Sequence, residues 1–142
     1  MSKIIIHGGF FSESSTNIET KIAKQQALLR IVKDSYAYLQ NHSALETVVY
    51  AVSQLEDDEL FNAGIGSQIQ SDGKIRMSAS LMDGESQKMS GVINIEEVKN
   101  PIQVAQVLMQ VDDRILGGSG ATNFARKHGF ESFSTEIPQR RA

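Results

Sequence analysis

The sequence predicts an α+β fold, and three observations carry that reading. Two long segments of helical period lie together near the start, short β-rich segments follow them, and Asp72-Gly73 separates two of those as a hairpin turn would. Helices segregated from antiparallel strands argue against a doubly wound parallel sheet. A chain of 142 residues is long enough for one domain with its own core and too short for two ordinary ones, so residues 1–142 are expected to form part of a single unit.

The elements follow in order. "KIIIH" is a β-branched run ended by Gly8 and Gly9, which predicts a buried strand leading into a loop. Thr16 stands three residues before Glu19 as a capping box, and Ile18, Ile22, Leu29, Val32, Tyr36 and Leu39 form one apolar stripe of a helix to about Asn41. Ser43 and Glu46 repeat the capping box ahead of Leu45, Val48, Val49, Val52 and Leu55, a second helix whose end falls in "LEDDELFNAGIGS". Carboxylates there sit at a helix C-terminus, where the dipole disfavours them. "SQIQ" and "KIRMSASLM" flank Asp72-Gly73 as two strands, and "GVINIEEV" alternates as a third. Asn100 and Pro101 open a helix as cap and first residue. "RILGGSG" predicts a strand entering a glycine turn, and "ATNFARKHG" a short helix closed by Gly129. Residues 131–142 show no period and are expected to be a mobile tail.

Composition narrows the function. Fourteen Lys and Arg against seventeen Asp and Glu give a net charge of −3, with no basic run interleaved with aromatics, so nucleic acid is not an expected partner. The absence of cysteine excludes disulfides, thiolate catalysis and Cys-ligated metal within these residues. The apolar opening is broken at His7 and the glycines, too early for a signal-peptide core, and no membrane partner is expected; a cytoplasmic protein is the simplest reading.

Local motifs give no catalytic engine. Glu56, Asp57, Asp58 and Glu59 are consecutive, so their side chains diverge instead of converging on one ion as an EF-hand requires. "GIG" at 64–66 follows a helix and lacks a third glycine, and "GGSG" at 117–120 lacks the Walker lysine and hydroxyl. His7, His42 and His128 form no i, i+4 metal pair, His42 being expected in solvent, and no G-x-S-x-G elbow marks a serine nucleophile. Local chemistry alone leaves a non-catalytic ligand-binding α+β module as a rival to an enzyme.

Taken in order, however, "HGG" at 7–9, "QLEDDELFNAGIGS" at 54–67, "DGKIRMSASLMDG" at 72–84, "NPIQVAQVLM" at 100–109 and "GSGATNFARKHG" at 118–129 resemble one family. This is the α subunit of plant-type L-asparaginases, or isoaspartyl (β-aspartyl) peptidases, of the N-terminal-nucleophile hydrolase superfamily. The resemblance implies an αββα four-layer sandwich made as a precursor, of which this chain is the N-terminal half, its tail running toward the autocleavage site. The nucleophilic threonine heads a separate β subunit, and its α-amino group, with an ordinary pKa of about 8, takes the proton without a histidine. No catalytic residue then lies in this chain and no cofactor serves catalysis. The substrates implied are L-asparagine and isoaspartyl dipeptides, cleaved to L-aspartate by an (αβ)₂ assembly; glycosylasparaginase and threonine aspartase share the architecture.

The same resemblance gives residues 55–65 a structural sodium ion, held by the main-chain oxygens of Leu55, Glu56, Asp58, Phe61, Ala63 and Ile65. It makes Asn62 the amide that helps hold the nucleophile, and Gly8 and Gly9 part of the autoprocessing loop. Such an ion would use helix-end carbonyls that lack intrahelical donors and would offset the unfavourable dipole. Four residues depart from the family pattern: Phe10 and Phe11 after "HGG", Ser78 where Asp is common, and Ser119 where Glu is frequent.

Overall fold

A computed structural model describes residues 2–9, 18–111 and 114–135. Among these residues four α-helices and three strands succeed one another as α1 Ile18–Leu39, α2 Ala44–Glu56, β1 Met77–Asp83, β2 Lys88–Ile95, α3 Pro101–Leu108, β3 Ile115–Gly117 and α4 Gly118–Lys127. This is the α+β class expected, and no described helix is long and apolar enough to cross a membrane. The capping box of α2 forms on both sides: Ser43 N–H donates to Glu46 Oε2 at 2.8 Å, and Glu46 N–H to Ser43 Oγ at 3.2 Å. Gly129, at φ +84°, closes α4 in a Schellman turn, with Phe130 N–H on the Ala125 carbonyl at 3.0 Å and Gly129 N–H on that of Arg126 at 3.2 Å.

The sheet runs β1-β2-β3, antiparallel between β1 and β2 and parallel between β2 and β3. Helix α3 is the crossover that parallel pairing requires. α3 and α4 cover one face of the sheet, where Met77, Val92, Ile95, Val104, Leu108, Ala121 and Ala125 form a core. Burying an aliphatic side chain of this kind contributes roughly 1.5–3 kcal/mol. Val49 of α2 joins Leu81, Ile102, Ala105 and Met109 in a second cluster, and Ala27, Ile31, Leu55 and Phe61 form a third between α1, α2 and the loop after it. The sheet's other face is open: Met82, Met89, Ile93 and Ile115 are exposed, and Ser78, Ser80, Met89, Ile93 and Ile115 help line a shallow groove of about 300 Å³.

Several expectations are corrected. "KIIIH" pairs with no strand among the described residues; Ile6 packs beneath α1 while Ile5 is 94 % exposed. Its β-branched residues favour an extended chain, but a strand also needs a partner to bond to, and among the described residues this segment bonds to none of β1–β3. "SQIQ" is likewise unpaired: Asp72-Gly73 makes a tight turn, with Gln70 N–H on the Lys74 carbonyl at 2.8 Å, but the hairpin itself turns at residues 84–87. Most of the expected stripe of α1 faces outward, with Ile18 74 % exposed, Ile22, Leu29 and Tyr36 also exposed, and Val32 and Leu39 half-buried; Ala27, Ile31 and Ser35 are buried instead. Two of those three are small, which lets the neighbouring helix approach closely. Thr16, Phe10, Phe11 and residues 136–142 lie outside the described residues. Of the expected tail, 131–135 is irregular, with Phe133 N–H on the Glu97 carbonyl at 3.1 Å and Arg126 Nη1 on the Phe130 and Glu131 carbonyls at 3.1 and 3.2 Å.

Candidate functional site

The acidic stretch ends α2 and turns back through a 3₁₀ turn at Gly64–Gly66. Its carboxylates diverge, as their consecutive positions require. Glu56 Oε1 accepts the Ile102 N–H at 3.0 Å, Asp57 Oδ1 meets Asn100 Nδ2 and Lys99 Nζ each at 3.0 Å, and Asp58 Oδ2 pairs with Arg30 Nη2 at 3.2 Å. Among the described residues no three His, Cys, Asp or Glu side chains could together hold a metal ion.

These contacts also explain how acidic residues tolerate the end of α2. Glu56 and Asp57 face the N-terminus of α3, whose unpaired N–H groups carry the opposite partial charge. Asn100 does not cap its own helix; its amide reaches back to Asp57 and, at 3.4 Å, to the Ser53 carbonyl, and Glu56 supplies the α3 cap from another element. The dipole conflict is thus offset within the protein. Glu56 is only 3 % exposed, and burial pushes its carboxyl up to about 7; the Ile102 N–H and the Asn100 amide hold it down in part, and Asp57 adds repulsion. Its second oxygen, Oε2, has no partner among the described residues.

The loop is closed by its own backbone. Asp58 N–H bonds the Leu55 carbonyl at 3.4 Å, Phe61 N–H that of Asp58 at 3.2 Å, Ala63 N–H that of Phe61 at 2.9 Å, and Gly66 N–H that of Ala63 at 3.0 Å. Gly64 has φ +52° and lies so close to the Glu56 main chain that a Cβ would collide with its carbonyl; a Cβ at Gly66 would strike the Phe61 carbonyl. "GIG" is therefore a place where backbone approaches backbone, not a phosphate cradle. Each bonded carbonyl keeps a second lone pair, and hard cations take oxygen ligands, so main-chain oxygens such as those of Leu55, Glu56, Asp58, Phe61, Ala63 and Ile65 have the donor chemistry a hard cation would need.

Phe61 is buried against Ala27, Ile31 and Leu55, with Ile6 and Leu28 beside it. Gly8 packs into the same place: a Cβ there would come within 2.6 Å of both Phe61 Cε1 and Leu28 Cδ2. The structure thus joins two pieces 53 positions apart in sequence, "HGG" and "FNAG". Gly9 has φ +128° and open space around it, a conformation suited to glycine. Asn62, beside Phe61, is exposed; its Oδ1 accepts the Gln68 N–H at 3.0 Å, which fixes the amide and leaves Nδ2 without a protein partner among the described residues.

Other candidates have structural tasks. His42 is exposed, as expected, with its ring stacked on Tyr38 at 3.6 Å and its Nδ1 2.9 Å from the Tyr38 carbonyl; His128 repeats this contact on Phe124. "GGSG" joins β3 to α4 as expected, with Gly118 at φ +51° and Ser119 exposed in the first turn. Ser78 Oγ accepts the Asn94 N–H at 3.2 Å where the β1/β2 register shifts and Asn94 adopts φ +55°, so this departure serves an irregular ladder. Sequence reasoning missed the Glu56 side chain, because its partner is 46 residues away and no local pattern names it.

Comparison with known proteins gives a consistent result. The family described as asparaginase matches residues 1–141. The chain is 49% identical over 127 residues to an isoaspartyl peptidase/L-asparaginase of Synechocystis sp., covering 88% of this chain and 38% of that protein. It is 39% identical over 142 residues to a plant-type L-asparaginase of Thermococcus kodakarensis, covering 99% and 45% respectively. A probable isoaspartyl peptidase/L-asparaginase 2 of Arabidopsis thaliana is 36% identical over 135 residues, covering 94% and 42%. The chain spans about two fifths of the length of these relatives.

Proposed function

We propose, on the premise that this chain belongs to the asparaginase family, that it is the α subunit of a threonine amidohydrolase cleaving isoaspartyl dipeptides and L-asparagine to L-aspartate. The observation that carries this reading is the family match over residues 1–141. The geometry supports it: Gly8 and Phe61 fasten the "HGG" and "FNAG" segments together, and Asn62 holds its amide outward from that junction.

In this reading a β subunit, cut from the same precursor, brings the threonine. Its hydroxyl oxygen attacks the side-chain amide carbon while its α-amino group takes the proton; collapse of the oxyanion expels ammonia or an amino acid. Water then hydrolyses the ester and frees aspartate. This chain contributes position. Asn62 donates to the threonine through Nδ2 while Oδ1 is anchored on Gln68, and an amide does this without competing for the proton. Gly8 and Gly9 shape the backbone beside the cleavage point. A structural sodium ion held by the carbonyls of Leu55, Glu56, Asp58, Phe61, Ala63 and Ile65 would stiffen the loop carrying Asn62. The open sheet face and exposed Ile5 are apolar surfaces that a β subunit would cover in an αββα sandwich, with two such pairs making (αβ)₂ in the cytoplasm.

The test uses the full-length protein. Mass and N-terminal sequencing should find a companion chain beginning with threonine, and aspartate should be released from L-asparagine and β-aspartyl-leucine. No release from either substrate would reject the activity.

A further inference from the structure

We propose that Glu56 is the positioning residue of the 55–65 loop: its side chain, by accepting the Ile102 N–H at the start of α3, fixes the main-chain oxygens that the sodium ion would use. This rests on the sodium reading above and adds to it a side chain that a purely main-chain ligand set leaves out.

Three observations meet at this residue. Its carboxylate is buried and reaches a helix 46 positions away, a cost the fold bears only where the contact is formed. Its own carbonyl is one of the six oxygens, and it lies against Gly64, where the loop returns. The next turn is gripped as well: Asp57 by Lys99 and Asn100, and Ser53 Oγ by Gln103 Nε2 at 3.3 Å. The end of α2 is thus clamped to α3 by side chains while its carbonyls face the loop. Metal–ligand distances tolerate only about 0.2 Å, so a small tilt of this peptide group is enough to spoil coordination.

The device depends on reach and not on charge, which two conservative variants separate. Glu56→Gln keeps an oxygen at the same distance for Ile102; Glu56→Asp keeps the charge but withdraws it by about 1.5 Å. The full-length protein is melted in sodium chloride series, with choline chloride holding ionic strength constant, and the sodium concentration giving half the maximal stabilisation is read. Glu56→Gln is expected to match the unaltered protein, and Glu56→Asp to need about 10- to 100-fold more sodium. Glu56→Asp behaving like the unaltered protein, or Glu56→Gln weakened as much as Glu56→Asp, would overturn the inference. An unaltered protein whose melting ignores sodium rejects the sodium reading itself, and the positioning role falls with it.

Discussion

The junction between α2 and α3 and the open face of the sheet use their residues in opposite ways. At the junction, polar side chains are drawn inward and nearly all find partners: Glu56 on Ile102, Asp57 on Lys99 and Asn100, Gln103 on Ser53. Across the sheet's open face, apolar side chains are left outward, with Met82 69 % and Ile93 48 % exposed, and α1 likewise presents Ile18 and Leu29 to solvent. The first arrangement holds the chain to itself. The second leaves apolar area to be removed from water by something else, at about 25 cal/mol per Å² covered. The contrast teaches that the loop bearing Asn62 is shaped by this chain's own contacts, whereas among the described residues only one face of the sheet is covered by helices.

Disturbing the end of α2 and the loop packed behind it should be the costlier change. Phe61→Ala empties the space between Gly8, Ala27, Ile31 and Leu55 and is expected to cost about 3–5 kcal/mol, read as a lowered urea midpoint. Gly64→Ala places a methyl against the Glu56 carbonyl at φ +52° and should cost about 3 kcal/mol in the same measurement, with Asn62 displaced. Glu56 gives the junction a pH dependence. Its folded-state pKa of about 7 lies above the ordinary 4.5, so between these values the folded chain binds the extra proton and stability falls as pH rises. In sodium-free buffer the unaltered protein should lose about 2–3 kcal/mol relative to Glu56→Gln from pH 4.5 to 7. A flat difference across that window would mean that the carboxyl is not buried as described. The open face should respond least within this chain: Ile93→Ser is expected to shift its stability by less than about 0.5 kcal/mol. The same change should reduce recovery of a companion chain on purification, and unchanged recovery would show that this face is not where that chain binds.

Much of the candidate site was legible as words in order, because "HGG" and "LEDDELFNAGIGS" are local and Gly8, Gly64 and Gly66 mark places where the chain packs closely. What could not be read was how they meet. Nothing near Gly8 names Phe61, and nothing near Glu56 names Ile102.

The sequence by itself determined the α+β class, the Ser43–Glu46 capping box, the Gly129 helix stop and the divergence of the four consecutive acids, since each depends on atoms within a few residues of one another. Only the tertiary structure decided that α1 buries Ala27, Ile31 and Ser35 instead of its richer stripe, that "KIIIH" runs unpaired, and that α3 takes its cap from α2. The physical reason is that a helical period fixes which residues share a face but not which face is covered, and a strand or a buried carboxylate is stable only with a partner that its own neighbourhood does not contain.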